Sequence, residues 1–206
     1  MRLSATFMLL CFSAHTQVIE FESGGLKYQT LTKRAVTVMF AHMPLHVREF
    51  SIVQVAVANG SKSPYTIRPE DFAYTLSGGS VVRAAPARDV VSILMEKGSR
   101  GDVIKLVNAY EAAIYGMSRI RSTNGYEQRR QAALAEVLST KLKAAATASA
   151  IALVQTKLAP GQSTDGAVFF PSEAKALNSG RLTVNTGTDI FQFNPDRGHS
   201  DEHTGH

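Results

Sequence analysis

The most constraining feature of this sequence is a run of residues that is apolar on both faces of an extended chain. Residues 50–58 read Phe-Ser-Ile-Val-Gln-Val-Ala-Val-Ala, and Asn59-Gly60 follows as a strong turn signal. Successive side chains of a strand point to opposite faces of its sheet, so a strand of this composition must be covered on both sides. The run therefore predicts a central strand.

Shorter segments before and after this run alternate apolar and polar residues with a period of two. Turn residues such as Gly78-Gly79 and Pro171 separate them. Several short strands separated by such turn residues predict an antiparallel sandwich. The alternating segments lie around residues 36–40, 72–76, 182–186 and 190–193, and short segments at residues 81–84 and 167–170 also have strand character.

Helical patterns occupy the middle of the chain. Pro86 can begin a first helix, which Gly98 ends, and Asp102 can cap a second helix that stops at Gly116. Residues 127–159 contain neither Gly nor Pro and predict a third, long helix, which either projects from the sandwich, folds against the second helix, or breaks. Its predicted apolar stripe consists of Leu134, Val137, Leu138, Leu142 and Ala145.

The first sixteen residues have the layout of a secretory signal peptide. Arg2 provides the positive charge, residues 3–12 form an apolar run too short to span a membrane, and Thr16 is the predicted last residue before cleavage. Cys11, the only cysteine, lies inside this segment. We therefore expect an exported protein, periplasmic or at the cell surface, whose mature form has no thiol and is not transmembrane.

These patterns predict an α+β chain. Residues 18–96 and 160–194 form one antiparallel β-sandwich, which the helical insertion of residues 97–159 splits. Three trailing strands would make a poor sheet by themselves, which favours one split sandwich over two domains. Residues 195–206 are polar and rich in Gly and His, and they predict a disordered tail.

Several turn and strand motifs resemble those of uncharacterised bacterial exported proteins with an immunoglobulin-like domain. They are Val-Ala-Val-Ala-Asn-Gly-Ser at residues 55–61, Pro-Glu-Asp at residues 69–71, Pro-Gly-Gln-Ser at residues 160–163 and Gly-Ala-Val-Phe-Phe-Pro at residues 166–171. The resemblance covers about half of the chain. It implies export and an immunoglobulin-like sandwich, but no particular activity.

Basic residues are concentrated in the helical region. The formal net charge is +5, and residues 97–143 carry nine Lys and Arg against four Asp and Glu, so the rest of the chain balances at thirteen of each. A solvated helix face explains such charges, and contact with an unknown protein or an anionic envelope surface is the functional alternative. Export and the scarcity of aromatics argue against nucleic acid. The predicted partner contacts are Arg119, Arg121, Arg129 and Arg130.

Two groups of histidines were candidates for metal or proton chemistry. The tail carries imidazoles and carboxylates close enough in sequence to chelate zinc, nickel or copper, although a solvated, disordered tail is the preferred explanation. The candidate ligands are His199, Asp201, His203 and His206. His42 and His46 flank Pro44, and we predict that they lie in a loop.

No catalytic motif is present. The sequence lacks a Gly-x-Ser-x-Gly elbow, a phosphate-binding loop, a His-Glu-x-x-His pair and paired cysteines. We predict a non-catalytic module without a cofactor, with a hydrolase whose site is assembled from distant residues as the alternative. Residues 144–154 are mostly small and apolar, which predicts close packing within the fold, or a homodimer through the long helix.

Overall fold

The computed structural model describes residues 17–116, 139–171, 177 and 179–195. Strands precede and follow three helices along the chain. The early strands are β1 (Ile19–Ser23), β2 (Leu26–Lys33), β3 (Val36–Val47), β4 (Phe50–Asn59), β5 (Tyr65–Ile67), β6 (Phe72–Thr75) and β7 (Val81–Arg83), with a 3-10 turn at Pro69–Asp71. The helices are α1 (Ala87–Lys97), α2 (Arg100–Gly116) and α3 (Thr140–Ile151). The late strands are β8 (Thr156–Leu158), β9 (Ser163–Phe170), β10 (Arg181–Asn185) and β11 (Ile190–Gln192).

The late strands pair with the early ones. β9 is the antiparallel neighbour of β4, β8 of β5, and β10 of β6. A five-stranded sheet has the order β1-β2-β3-β4-β9, and a four-stranded sheet has the order β11-β10-β6-β7. The prediction that strands on both sides of the helices join one sheet system is confirmed. The described fold is α+β, with sandwich-like antiparallel sheets.

The five-stranded sheet lies between the four-stranded sheet and the helices. Ile52 and Val53 are adjacent in β4 and fully buried, and they face opposite sides. Val53 packs in a cluster with Phe72 of β6, whereas Ile52 packs in a second cluster with Leu94 of α1. The prediction that residues 50–58 form a strand covered on both sides is confirmed.

The immunoglobulin-like strand order is not confirmed. β1 to β4 are consecutive neighbours in one sheet, whereas the third strand of an immunoglobulin domain lies in the opposite sheet. The helices also contribute to the core, because Val90, Leu106 and Ala148 are buried in the cluster on one face of the central sheet. The helical region is therefore a layer of the fold rather than an appendage to a complete sandwich.

The first two helices begin and end close to the predicted positions. Pro86 immediately precedes α1 and Gly98 follows it, as predicted. α2 begins at Arg100, ahead of the predicted capping residue Asp102. Ser99 is the cap instead: its hydroxyl accepts the Asp102 N–H at 3.3 Å, and its own N–H donates to the Asp102 carboxylate at 2.8 Å. Asp102 thus stabilises α2 from inside its first turn, as the second member of a capping box.

The prediction of a helix that continues to residue 159 is wrong. α3 ends at Ile151, and β8 follows within the segment predicted to be helical. The Leu153 N–H donates to a carbonyl oxygen of β9 at 2.8 Å. Gly166 permits this close approach, since a Cβ at that position would lie 2.6 Å from the Leu153 nitrogen. The other end of the predicted helix, residues 127–138, lies outside the described residues.

The prediction that His42 and His46 lie in a loop is also wrong. Both belong to β3, and the pairing register with β4 shifts between them. Pro44 lies within this irregularity and is exposed. Proline has no N–H to donate to a neighbouring strand, and a bulge accommodates it without ending the strand.

Candidate functional site

One arginine at the tip of a hairpin holds the junction between α1 and α2. Arg48 lies in the β3–β4 turn with a φ of 56°, which is uncommon for a residue other than glycine. Its Nη2 lies 2.6 Å from Asp102 Oδ2 and also donates to the Lys97 carbonyl. Lys105 of α2 adds a second link, because its Nζ donates to the His46 carbonyl at 2.8 Å. These contacts tie both helices to the central sheet.

Asp102 is the buried anion of this junction. Burial by itself would raise the pKa of its carboxyl group, but the hydrogen bonds from Ser99 and the positive charge of Arg48 outweigh burial, so the pKa is lower than usual. Asp102 is therefore ionised at neutral pH and neutralises Arg48. The pair adds no net charge to the surface around it.

α3 lies beside the same junction. A Cβ built on Gly98 would lie 3.1 Å from the Ala144 Cβ, and α3 contacts both α1 and α2. Ala144, Ala148 and Ile151 are buried on the side of α3 that faces the fold. The prediction that the small-residue segment packs within the fold is confirmed for α3. A homodimer through this helix, which stays a prediction, would have to use its outward side.

Five basic side chains surround the junction, and we call them the basic surface. They are Lys97, Arg100, Lys105, Lys141 and Lys143, and all are exposed. Across residues 95–105 and 139–145 the one exposed acid is Glu96. In the part of the chain that the structure describes, none of the five forms an ion pair with a carboxylate. Among the described residues, then, no ion pair uses these five charges.

Three large apolar side chains project from the same region, one from each helix. Met95 is 51% exposed, Ile104 52% and Leu142 48%. Leu142 was predicted on the apolar stripe of the third helix, and that prediction is wrong. Buried Ala144 and Ala148 define the inner side of α3, and a residue two positions before Ala144 lies on the opposite side of the helix.

The partner contacts and the metal ligands that the sequence predicted lie outside the described ranges. This holds for the predicted partner contacts, Arg119, Arg121, Arg129 and Arg130, and for the predicted metal ligands, His199, Asp201, His203 and His206. Among the residues whose positions are described, no group of three His, Cys, Asp or Glu could hold a metal ion. The excess of basic residues identified the region, but the sequence offered no signal for Arg48 as the residue that organises it.

Two histidines make side-chain contacts in or near the core. His46 Nδ1 lies 3.3 Å from Ser51 Oγ, and the Tyr74 hydroxyl lies 2.9 Å from His42 Nε2. Ser51 is only 2% exposed, so its hydroxyl cannot meet a substrate at the surface. The Ser51–His46 contact links β3 to β4, and the His42–Tyr74 contact links the two sheets. The hydrolase alternative stays a hypothesis.

A cleft of about 280 Å³ lies at the opposite end of α1 from the basic surface. Pro69, Pro86 and Leu153 contribute apolar walls, and Glu70 and Arg88 provide one charge of each sign. The cleft therefore has no charge preference of the kind seen at the basic surface.

Comparison of the chain with protein-family models, curated proteins and solved structures yields no match. Within the described ranges, no helix combines the length and the apolar character needed to cross a bilayer. Function must therefore be argued from the geometry of the described surfaces.

Proposed function

We propose that this chain is an exported, non-catalytic binding module that presents its basic surface to an anionic partner. The observation that carries this proposal is the group of five exposed basic side chains around the α1–α2 junction; the exposed acids beside them are Glu96 and, next to Arg48, Glu49. The two sheets act as a platform, and the helical layer is the part that meets the partner.

The physical case rests on five positive charges that no carboxylate neutralises within the described part of the chain, although the Lys105 ammonium also donates to the His46 carbonyl. Like charges near one another repel, so five such cations destabilise the folded state slightly when no anion is bound. An anionic partner relieves this repulsion, and the field of the surface attracts it from solution. Arg48 and Asp102 fix the junction before binding, so little conformational freedom is lost when the partner arrives.

The export part of the proposal rests on residues 1–16, with Arg2 followed by the short apolar run. Expression of the whole chain in a bacterial host, followed by fractionation and mass measurement, tests it. We expect a mature chain that begins at Gln17 outside the cytoplasm. A chain that keeps Met1 and stays in the cytoplasm would refute export.

Charge neutralisation tests the binding part. The test variant changes Lys97, Arg100, Lys141 and Lys143 to Gln, and leaves Lys105 because it contacts β3. The control variant changes the same number of lysines and arginines elsewhere on the exposed surface. Its substitutions are Lys27→Gln, Lys62→Gln, Arg83→Gln and Lys157→Gln.

Both variants lose the same net charge, so they separate a local surface from overall basicity. On a heparin–agarose column the test variant should elute at distinctly lower salt than the control variant, because clustered charges act together on one polyanion. Circular dichroism melts check that both variants fold. Elution of the two variants at the same salt concentration would show that the basic surface has no special role.

A further inference from the structure

The basic surface also carries apolar side chains, and their positions narrow the class of partner. Gly98, which lies between α1 and α2, closely approaches Ala144 of α3 beneath this surface. In the sequence each of the three apolar residues is close to a cation of the basic surface. Met95 is two positions before Lys97, Ile104 directly precedes Lys105, and Leu142 lies between Lys141 and Lys143. The three side chains therefore belong to the same area as the five cations.

These apolar side chains point away from the fold. Ile104 lies between buried Asp102 and Leu106, two positions from each, which places it on the opposite side of α2. Leu142 has the same relation to Ala144 in α3.

We infer that the anionic partner is the surface of a lipid bilayer, and that Met95, Ile104 and Leu142 enter the boundary between headgroups and acyl chains. This inference rests on the proposed function. A soluble polysaccharide polyanion offers charge, but it gives half-exposed Met, Ile and Leu side chains no apolar layer to enter. A bilayer of anionic lipids offers both, with phosphate groups for the cations and an apolar layer beneath them.

Vesicle co-sedimentation tests the role of the apolar side chains. The full chain is mixed with vesicles of phosphatidylcholine, or with vesicles containing equal parts of phosphatidylcholine and phosphatidylglycerol. The test variant carries Met95→Ser, Ile104→Ser and Leu142→Ser. The control variant carries Ile19→Ser, Val81→Ser and Ile190→Ser, three apolar side chains of similar exposure that lie on strands.

The wild type and the control variant should bind the anionic vesicles and not the neutral ones. The apolar test variant should partition about a hundredfold more weakly, because three half-exposed side chains no longer leave water. The partition coefficient of the charge variant described above onto anionic vesicles should fall about fivefold for each basic residue removed. The apolar test variant should still elute from heparin–agarose at the wild-type salt concentration.

A tryptophan reporter gives an independent readout, since the natural sequence contains no Trp. The emission of Leu142→Trp should shift to the blue on addition of anionic vesicles, whereas that of Val81→Trp should not. Equal vesicle binding by the apolar test variant and its control, or an unshifted Leu142→Trp spectrum, would overturn the bilayer inference. If heparin retention still depended on the basic surface, the proposed function would stand, with a soluble polyanion or a protein as the partner.

Discussion

The two faces of the central sheet are packed by different kinds of side chain. Towards the four-stranded sheet, the core is rich in aromatic rings, and Phe40 and Phe193 meet edge to face with centroids 4.9 Å apart. Towards the helices, the core is rich in alanine. The buried alanines there are Ala41, Ala56, Ala109, Ala144, Ala145, Ala148, Ala152 and Ala167.

This difference reflects the distance between the central sheet and the layer that covers each of its faces. Two sheets pack about 10 Å apart, and large rings fill the space between them. Small side chains let the helices approach each other and the sheet closely, as the Gly98–Ala144 contact shows. The stability of the aromatic side should therefore be most sensitive to a loss of side-chain volume, and that of the alanine-rich side to added volume.

The largest effect is expected on the aromatic side. Phe72 is fully buried, and Phe72→Ala should lower the free energy of unfolding by about 3–5 kcal/mol, because the ring leaves a cavity between the sheets. Phe21→Ala is the control, since Phe21 is 39% exposed on an edge strand. Urea unfolding of the two variants measures the difference. Similar losses would show that the aromatic layer is not tightly packed.

A smaller effect of opposite origin is expected on the alanine side. Ala148→Leu should lower the free energy of unfolding by about 1–3 kcal/mol, because no space exists for the larger side chain. Ser149→Leu adds a similar volume at an exposed position of the same helix. The melting temperature should fall for Ala148→Leu and change little for Ser149→Leu. A stable Ala148→Leu protein would mean that the helices can move apart.

The smallest effect concerns the polar link that attaches the helical layer to the sheet. Asp102→Asn should cost about 1–2 kcal/mol at neutral pH, because the capping box and the contact with Arg48 lose their charge. The pKa of Asp102 is lowered in the folded protein, so its charge stabilises the fold above the unfolded-state pKa of about 3.9. That stabilisation disappears as the pH falls through the lower folded-state pKa.

Unfolding measured across acid pH checks this sign. The difference in the free energy of unfolding between wild type and Asp102→Asn should be constant around neutral pH and should disappear in strong acid. Asp89→Asn is a matched control, because Asp89 occupies the third position of α1 but is exposed. A gap that widened on acidification would contradict the assigned direction of the Asp102 pKa.

Many of the strands could be predicted because the order of apolar and polar residues within a short segment indicates them. The two-sided apolar run at residues 50–58 identified β4, and alternation identified β3, β6, β10 and β11. A short apolar segment that ends at Pro171 identified the second half of β9. Turn residues also acted locally, as at Asn59-Gly60. The Asn59 side chain does more than turn the chain, however, because it donates to the carbonyls of Ser63 and Leu158 at 2.8 and 3.0 Å.

The failures share one cause, which is that a distant segment outweighed the local preference. Residues 152–158 carry no helix-breaking residue, yet they leave the helix because β9 and β5 provide hydrogen-bonding edges, and Gly166 leaves room for the chain. Leu142 faces outward because the alanines of α3 fit the narrow space beside Gly98 better than a leucine would.

The sequence by itself determined that β4 is central and that helices follow the early strands, because side-chain periodicity is a local property of the chain. Pairing of early with late strands was predictable from their number. Only the tertiary structure decided where α3 ends, which residue caps α2, and which basic and apolar side chains share one exposed surface. Those outcomes depend on contacts between segments far apart in the chain, and their energies are absent from any local pattern.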